Sequence, residues 1–67
     1  MLKITLKAAR VNAGLSQDDV VKKIHKSKPV LVAWENGKSD ISVKDFHNLC
    51  SIYKIDPANI LLPFELD

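Results

Sequence analysis

The stretch from Ser16 to Gly37 constrains the fold most, because it holds two short apolar-periodic runs separated by a three-residue turn. Ser16 precedes the first run and Asp19 follows three residues later, so a hydroxyl and a carboxylate stand where the first amides of a helix need acceptors. Ser27 precedes the second run in the same way, and Gly37 ends it. In the first run, about Gln17 to Ile24, Val20, Val21 and Ile24 fall on one side and Asp18, Lys22 and Lys23 on the others. The second starts after Ser27 and reaches about Asn36, with Val30, Leu31 and Trp34 at core spacing. Pro29 is compatible with this helix because it falls in the first turn, where amides have no intrahelical partner. The pattern predicts helix, tight turn, helix.

The flanks extend the same grammar. Thr5 is placed to cap a first helix running to about Ala13, with Leu6, Ala9 and Ala13 on a shared face, Gly14 as the left-handed exit and Leu15 entering the core. After a loop from Lys38 to Ile41, Ser42 and Asp45 open a fourth helix whose inward face is read as Val43, Phe46, Leu49, Cys50 and Tyr53. Asp56-Pro57 pairs an N-cap residue with a proline opening, which predicts a short fifth helix holding Ile60 and Leu61 and stopped by Pro63. The expectation is an all-α, compact bundle of five short helices over residues 1–62, followed by a tail at 63–67. Phe64-Glu65-Leu66-Asp67 alternates apolar and acidic residues and reads equally as a segment packing on its own chain or bridging to a second subunit.

A chain of 67 residues has room for one small core, so close helix packing or a partner must help, and a dimer fits on energetic grounds. Cys50 is the single cysteine, and no charged leader precedes an apolar stretch of spanning length, so the expectation is a cytoplasmic protein without a membrane partner. Ten Lys and Arg against eight Asp and Glu leave a net charge of only +2. The distribution says more than the sum. Between Val20 and Ser39 stand Lys22, Lys23, Lys26, Lys28 and Lys38 with Glu35 as the one acid, whereas Asp45, Asp56, Glu65 and Asp67 outnumber Lys44 and Lys54 after Ser42. One face is basic and the tail acidic, an electrostatic footprint that invites a functional reading, although lysines also simply solvate exposed helix faces. His25 and His47 lack ligand neighbours at useful spacing, and Cys50 shares helical spacing with Phe46, Leu49 and Tyr53, which reads as a core thiol. With no paired carboxylates, activated nucleophile or glycine-rich phosphate loop, neither an enzyme nor a bound cofactor is expected, nor a small-molecule effector.

Three strings, Leu6-Lys7-Ala8-Ala9-Arg10, Gly14-Leu15-Ser16-Gln17 and Trp34-Glu35-Asn36-Gly37-Lys38, resemble the Cro and phage-repressor type of helix-turn-helix protein in order and spacing, and the likeness continues to about Leu62. It implies a lambda-repressor-like DNA-binding domain in which helices 2 and 3 form the helix-turn-helix. It also implies that Arg10 pairs with Glu35 as a structural ion pair, the other reading being an exposed Arg10 on phosphate. Two positions depart from the family. Val21 stands where a smaller residue is usual, which asks for a slightly wider helix crossing, and His25 stands where Gly is usual, in a turn that commonly needs positive φ.

The resemblance implies a small sequence-specific transcriptional regulator that binds double-stranded DNA as a homodimer, with helix 3 in the major groove of a roughly palindromic operator. Gln17, Asn36, Lys38 and Ser39 are then the phosphate-contact candidates, and Lys28, Pro29, Val32 and Ala33 face the bases. Among these four only Lys28 is a polar reader, suited to guanine O6 and N7, while the others offer apolar contact to thymine methyls, so a modest preference partly set by DNA shape is expected. The rival is a protein-interaction module, antitoxin-like or anti-repressor-like, that uses the apolar helix 3 together with Phe64 and Leu66.

Overall fold

Four α-helices, α1 (Leu6–Asn12), α2 (Gln17–Ile24), α3 (Lys28–Asn36) and α4 (Val43–Tyr53), make up most of residues 3–62, the part of the chain that the computed structural model describes. Three of them start on a side-chain cap. Thr5 Oγ1 accepts from the Ala8 amide at 3.1 Å and Ser42 Oγ from the Asp45 amide at 3.1 Å. At α2 the capping is reciprocal: Ser16 Oγ accepts from the Asp19 amide at 3.1 Å, and Asp19 Oδ2 accepts from the Ser16 amide at 2.9 Å. Ser27 differs from the expectation, since its side chain makes no capping hydrogen bond; the ring of Pro29 removes one of the amides that such a cap would serve.

Left-handed residues end the elements, with Gly14, His25, Gly37 and Lys54 at φ of 75°, 58°, 73° and 57°. His25 therefore adopts the conformation in which glycine is usual, at the cost that a Cβ brings there. Lys54 does the same after α4, with its amide closing on the Cys50 and Ser51 carbonyls.

The fifth helix is not formed. Asp56 Oδ1 accepts from the Ala58 amide at 2.9 Å and Pro57–Asn59 makes a single 3-10 turn, after which the chain extends. Ile60 and Leu61 form strand β2 (Ile60–Leu61), parallel to β1 (Ile4–Thr5), with Ile4 opposite Ile60 and Thr5 opposite Leu61. An isolated turn is too short to propagate a helix, whereas a β-branched isoleucine beside another on a pleated, half-buried surface is well placed. The expected stop at Pro63 and both readings of the Phe64 to Asp67 tail lie outside the described residues.

Every helix contributes to one core, made of Leu6, Ala9, Val20, Leu31, Trp34, Leu49, Cys50, Tyr53 and Ile60, and Leu15, Val21, Ile24, Val30 and Phe46 pack against it half-buried. Each fully buried leucine contributes about 1.5–3 kcal/mol. Val21, where a smaller residue is usual, is thus accommodated half-buried against this core. Two residues assigned inward are not. Ala13 lies one residue past α1 and is exposed, and Val43, the first residue of α4, is 73% exposed because it precedes the turn that reaches the core. Among the described residues no helix is long and apolar enough to cross a membrane.

Candidate nucleic-acid interface

Burial of one side of α3 decides what its other side presents. Leu31 and Trp34 are in the core and Val30 packs against it, so the rows Lys28–Val32–Asn36 and Pro29–Ala33 are left facing away. Lys28, Pro29 and Asn36 are exposed, and Val32 and Ala33 are half-buried outside the core cluster. The four base-facing candidates thus share one outward strip at the start and middle of α3. Lys38 and Ser39 are exposed just past its end, where the Lys38 amide donates to the Ala33 carbonyl at 2.9 Å and leaves only the side chain available.

Gln17 sits differently from a simple phosphate ligand. It is half-buried, and its Nε2 donates to Glu35 Oε1 at 3.1 Å. One amide hydrogen is therefore held inward, and the backbone N–H groups at the start of α2 are what this position best offers an anion.

Glu35 is the hub of a buried polar cluster. Its side chain is 2% exposed and takes Arg10 Nε on Oε2 at 2.8 Å and Arg10 Nη2 on Oε1 at 3.4 Å, besides Gln17. Arg10 Nη1 donates to the Leu15 carbonyl at 3.0 Å. A guanidinium this buried and this occupied is out of reach of a phosphate, and it ties α1, the start of α2 and the end of α3 into one unit. The Tyr53 hydroxyl is buried too, without a hydrogen-bond partner among the described residues. Burial first, and then the Glu35 charge, push its pKa up to about 12.

A second ion pair links the same helices at the surface: Lys28 Nζ lies 3.2 Å from Asp18 Oδ1, with the side chains 52% and 67% exposed. A pair of this kind contributes about 0–1 kcal/mol. Sequence periodicity placed both residues on outer faces but gave no sign that they meet across the turn. Lys26 and Asp45 form a looser pair at 3.9 Å.

The charges along α2 follow its dipole, with Asp18 and Asp19 in the first turn and Lys22 and Lys23 in the last. Hydrogen bonds from the Ser16 amide and hydroxyl hold the Asp19 carboxyl below the ordinary value. Negative charge consequently flanks the outward strip at its α2 side, and only Lys28 and Lys38 among the candidates are cationic.

Burial, with the Asp56 charge second, raises the Cys50 thiol pKa, which opposes a nucleophilic thiolate. His25 is an exposed turn residue and His47 lies against Phe46 with ring centroids 6.0 Å apart. Among the described residues no group of three or more His, Cys, Asp or Glu is placed to hold a metal ion. The sequence profile of the helix-turn-helix family matches residues 6–60, from the start of α1 to the first residue of β2. No curated protein and no solved structure gives a significant match.

Proposed function

The chain belongs to the Cro/phage-repressor type of helix-turn-helix family, whose members are DNA-binding transcriptional regulators, and we propose that it reads a short operator by laying the outward strip of α3 in the major groove. The observation that carries this reading is the sidedness of α3. Leu31 and Trp34 anchor it, and Lys28, Pro29, Val32 and Ala33 are left as a rigidly mounted edge at its start. Lys28 donates to guanine, and the three apolar residues meet thymine methyls. The amides at the start of α2 take a phosphate on one side of the groove, while Asn36, Lys38 and Ser39 take phosphates on the other. Four reading residues per subunit, of which only Lys28 is polar, give limited discrimination. A homodimer on a two-fold-symmetric site, with half-sites about 34 Å apart, doubles it. The acidic C-terminal half, which carries Asp45 and Asp56, is the part we assign to the dimer contact.

The protein-interaction reading loses ground on the same observation. Of the apolar run Pro29 to Ala33, Leu31 is in the core and Val30 packs against it, so the outward apolar surface is small for a helix-in-groove contact.

Titration of a labelled duplex carrying the preferred site, repeated over a salt series, tests the proposal. Lys38→Ala is expected to weaken binding evenly across sequences and flatten the slope of log K against log salt by about one, whereas Lys28→Ala is expected to lose about 1–3 kcal/mol of discrimination at one base pair. Binding no tighter than that of an equally charged unrelated protein, with neither variant distinguishable from wild type, sinks it.

A further inference from the structure

We propose that Asp18 and Lys28 act as a single reading unit for one G·C base pair, with Asp18 determining specificity as much as the lysine does; this rests on the DNA-binding reading above. The lysine ammonium and the aspartate carboxylate lie 3.2 Å apart, both exposed, one opening α3 and the other in the first turn of α2. The two helices that bracket the turn therefore present a donor and an acceptor side by side at the edge that faces the groove.

The major-groove edge of a G·C pair has the matching arrangement. Guanine offers two acceptors, N7 and O6, and the cytosine N4 amino group, a donor, lies next to O6 across a base-pair hydrogen bond of about 2.9 Å. The ammonium bridges N7 and O6 while the carboxylate accepts from N4, and the two groups keep their mutual contact. An A·T pair offers the ammonium one acceptor at N7 and puts the adenine amino group where the second should be. In the same pose thymine O4, an acceptor, replaces cytosine N4 opposite the carboxylate, so on A·T the pair satisfies both groups only by shifting along the edge to adenine N7 and N6, with one acceptor fewer for the ammonium.

The same carboxylate works against indiscriminate binding. It is 67% exposed beside the start of α2, where the backbone amides favour a phosphate, and it repels that phosphate while holding Lys28 away from it. Off its site, the lysine stays neutralised within the protein. On its site, both groups find base partners. Asp18 thus lowers affinity for any DNA and raises the ratio of right to wrong.

Five proteins decide this: wild type, Asp18→Ala, Asp18→Asn, Lys28→Ala and the variant that combines Asp18→Ala with Lys28→Ala, each measured on the preferred duplex, on duplexes substituted at every position in turn, and on a random duplex over a salt series. Asp18 is exposed, and an unchanged circular-dichroism spectrum shows that the variants fold. Lys28→Ala identifies the base pair that the lysine reads. Asp18→Ala is expected to lose about tenfold preference for G·C at that same position, to bind the random duplex several-fold more tightly, and to steepen its salt slope. Asp18→Asn keeps an acceptor oxygen without the charge, so it is expected to tighten random binding equally yet retain part of the base preference. Adding Asp18→Ala to Lys28→Ala is expected to cost no further discrimination, because the unit is already broken. Wild type that selects a site, with Asp18→Ala leaving both that position and random binding unchanged or altering preference elsewhere, overturns this inference alone. Wild type that binds no duplex overturns it together with the function on which it rests.

Discussion

Two ion pairs hold α3 to the elements that precede it, and they stand at opposite extremes of burial. Arg10 and Glu35 meet at 2.8 Å with side chains 9% and 2% exposed, and Glu35 also accepts from Gln17. Lys28 and Asp18 meet at 3.2 Å with more than half of each side chain in water. The chemistry is the same, a cation against a carboxylate, but the surroundings give it opposite uses. In the interior neither charge can leave, so removing one strands the other, and the pair fixes how α1, α2 and α3 sit together. At the surface water and salt compete with the contact, so its members are free to exchange partners. One pair builds the platform; the other is available to what docks on it.

The largest expected effect comes from breaking the buried pair. Glu35→Ala leaves the Arg10 guanidinium buried without its carboxylate and is expected to cost about 3–5 kcal/mol, a large share of the stability of a small domain. Urea unfolding followed by Trp34 fluorescence measures it. The double replacement Arg10→Met with Glu35→Leu is expected to recover most of the loss, since apolar side chains of similar size remove both buried charges at once.

Tyr53 sharpens the comparison, because it is a buried polar group beside that pair with no partner of its own among the described residues. Tyr53→Phe is expected to be neutral or stabilising by about 1 kcal/mol at neutral pH. The folded-state pKa of Tyr53 is pushed up to about 12 against the ordinary 10.0, so the unfolded chain loses the phenolic proton first. Stability linked to this group is fully present below pH 10 and falls as pH rises from 10 towards 12. Alkaline unfolding curves of wild type and Tyr53→Phe are expected to converge on the same stability difference below that window and to separate further within it.

The smallest effect on folding belongs to the exposed pair. Asp18→Ala and Lys28→Ala are each expected to change the unfolding free energy measured in urea by less than about 1 kcal/mol, while altering DNA discrimination. A loss comparable to that of Glu35→Ala in either variant erases the distinction between platform and reader.

What could be read in the chain beforehand followed the range of the interaction involved. The limits of α2 and α3 are local: Ser16 with Asp19 opens one and Gly37 closes the other, each within a turn of the residue it serves. The outward strip of α3 was legible for the same reason, because 3.6-residue periodicity separates Leu31 and Trp34 from Lys28, Pro29, Val32 and Ala33. Lys54 gave no signal, since lysine has no preference for the left-handed region that it occupies. Ile60 and Leu61 looked like a helix after Asp56-Pro57 because their strand partner, Ile4–Thr5, comes from the far end of the chain. In the site, the turning of Gln17 towards Glu35 and the meeting of Asp18 with Lys28 depend on how closely α2 and α3 approach, which no single helix pattern encodes.

Selection of binding sites from a pool of randomised duplexes, run in parallel with wild type and Lys28→Ala, tests whether the outward strip of α3 reads bases. Wild type is expected to enrich a two-fold-symmetric site with half-sites about one helical turn apart, and Lys28→Ala to enrich the same site with one G·C position relaxed in each half. A pool that stays random under wild type, or a site that is unchanged by Lys28→Ala, contradicts the assignment of the outward strip of α3 to base reading.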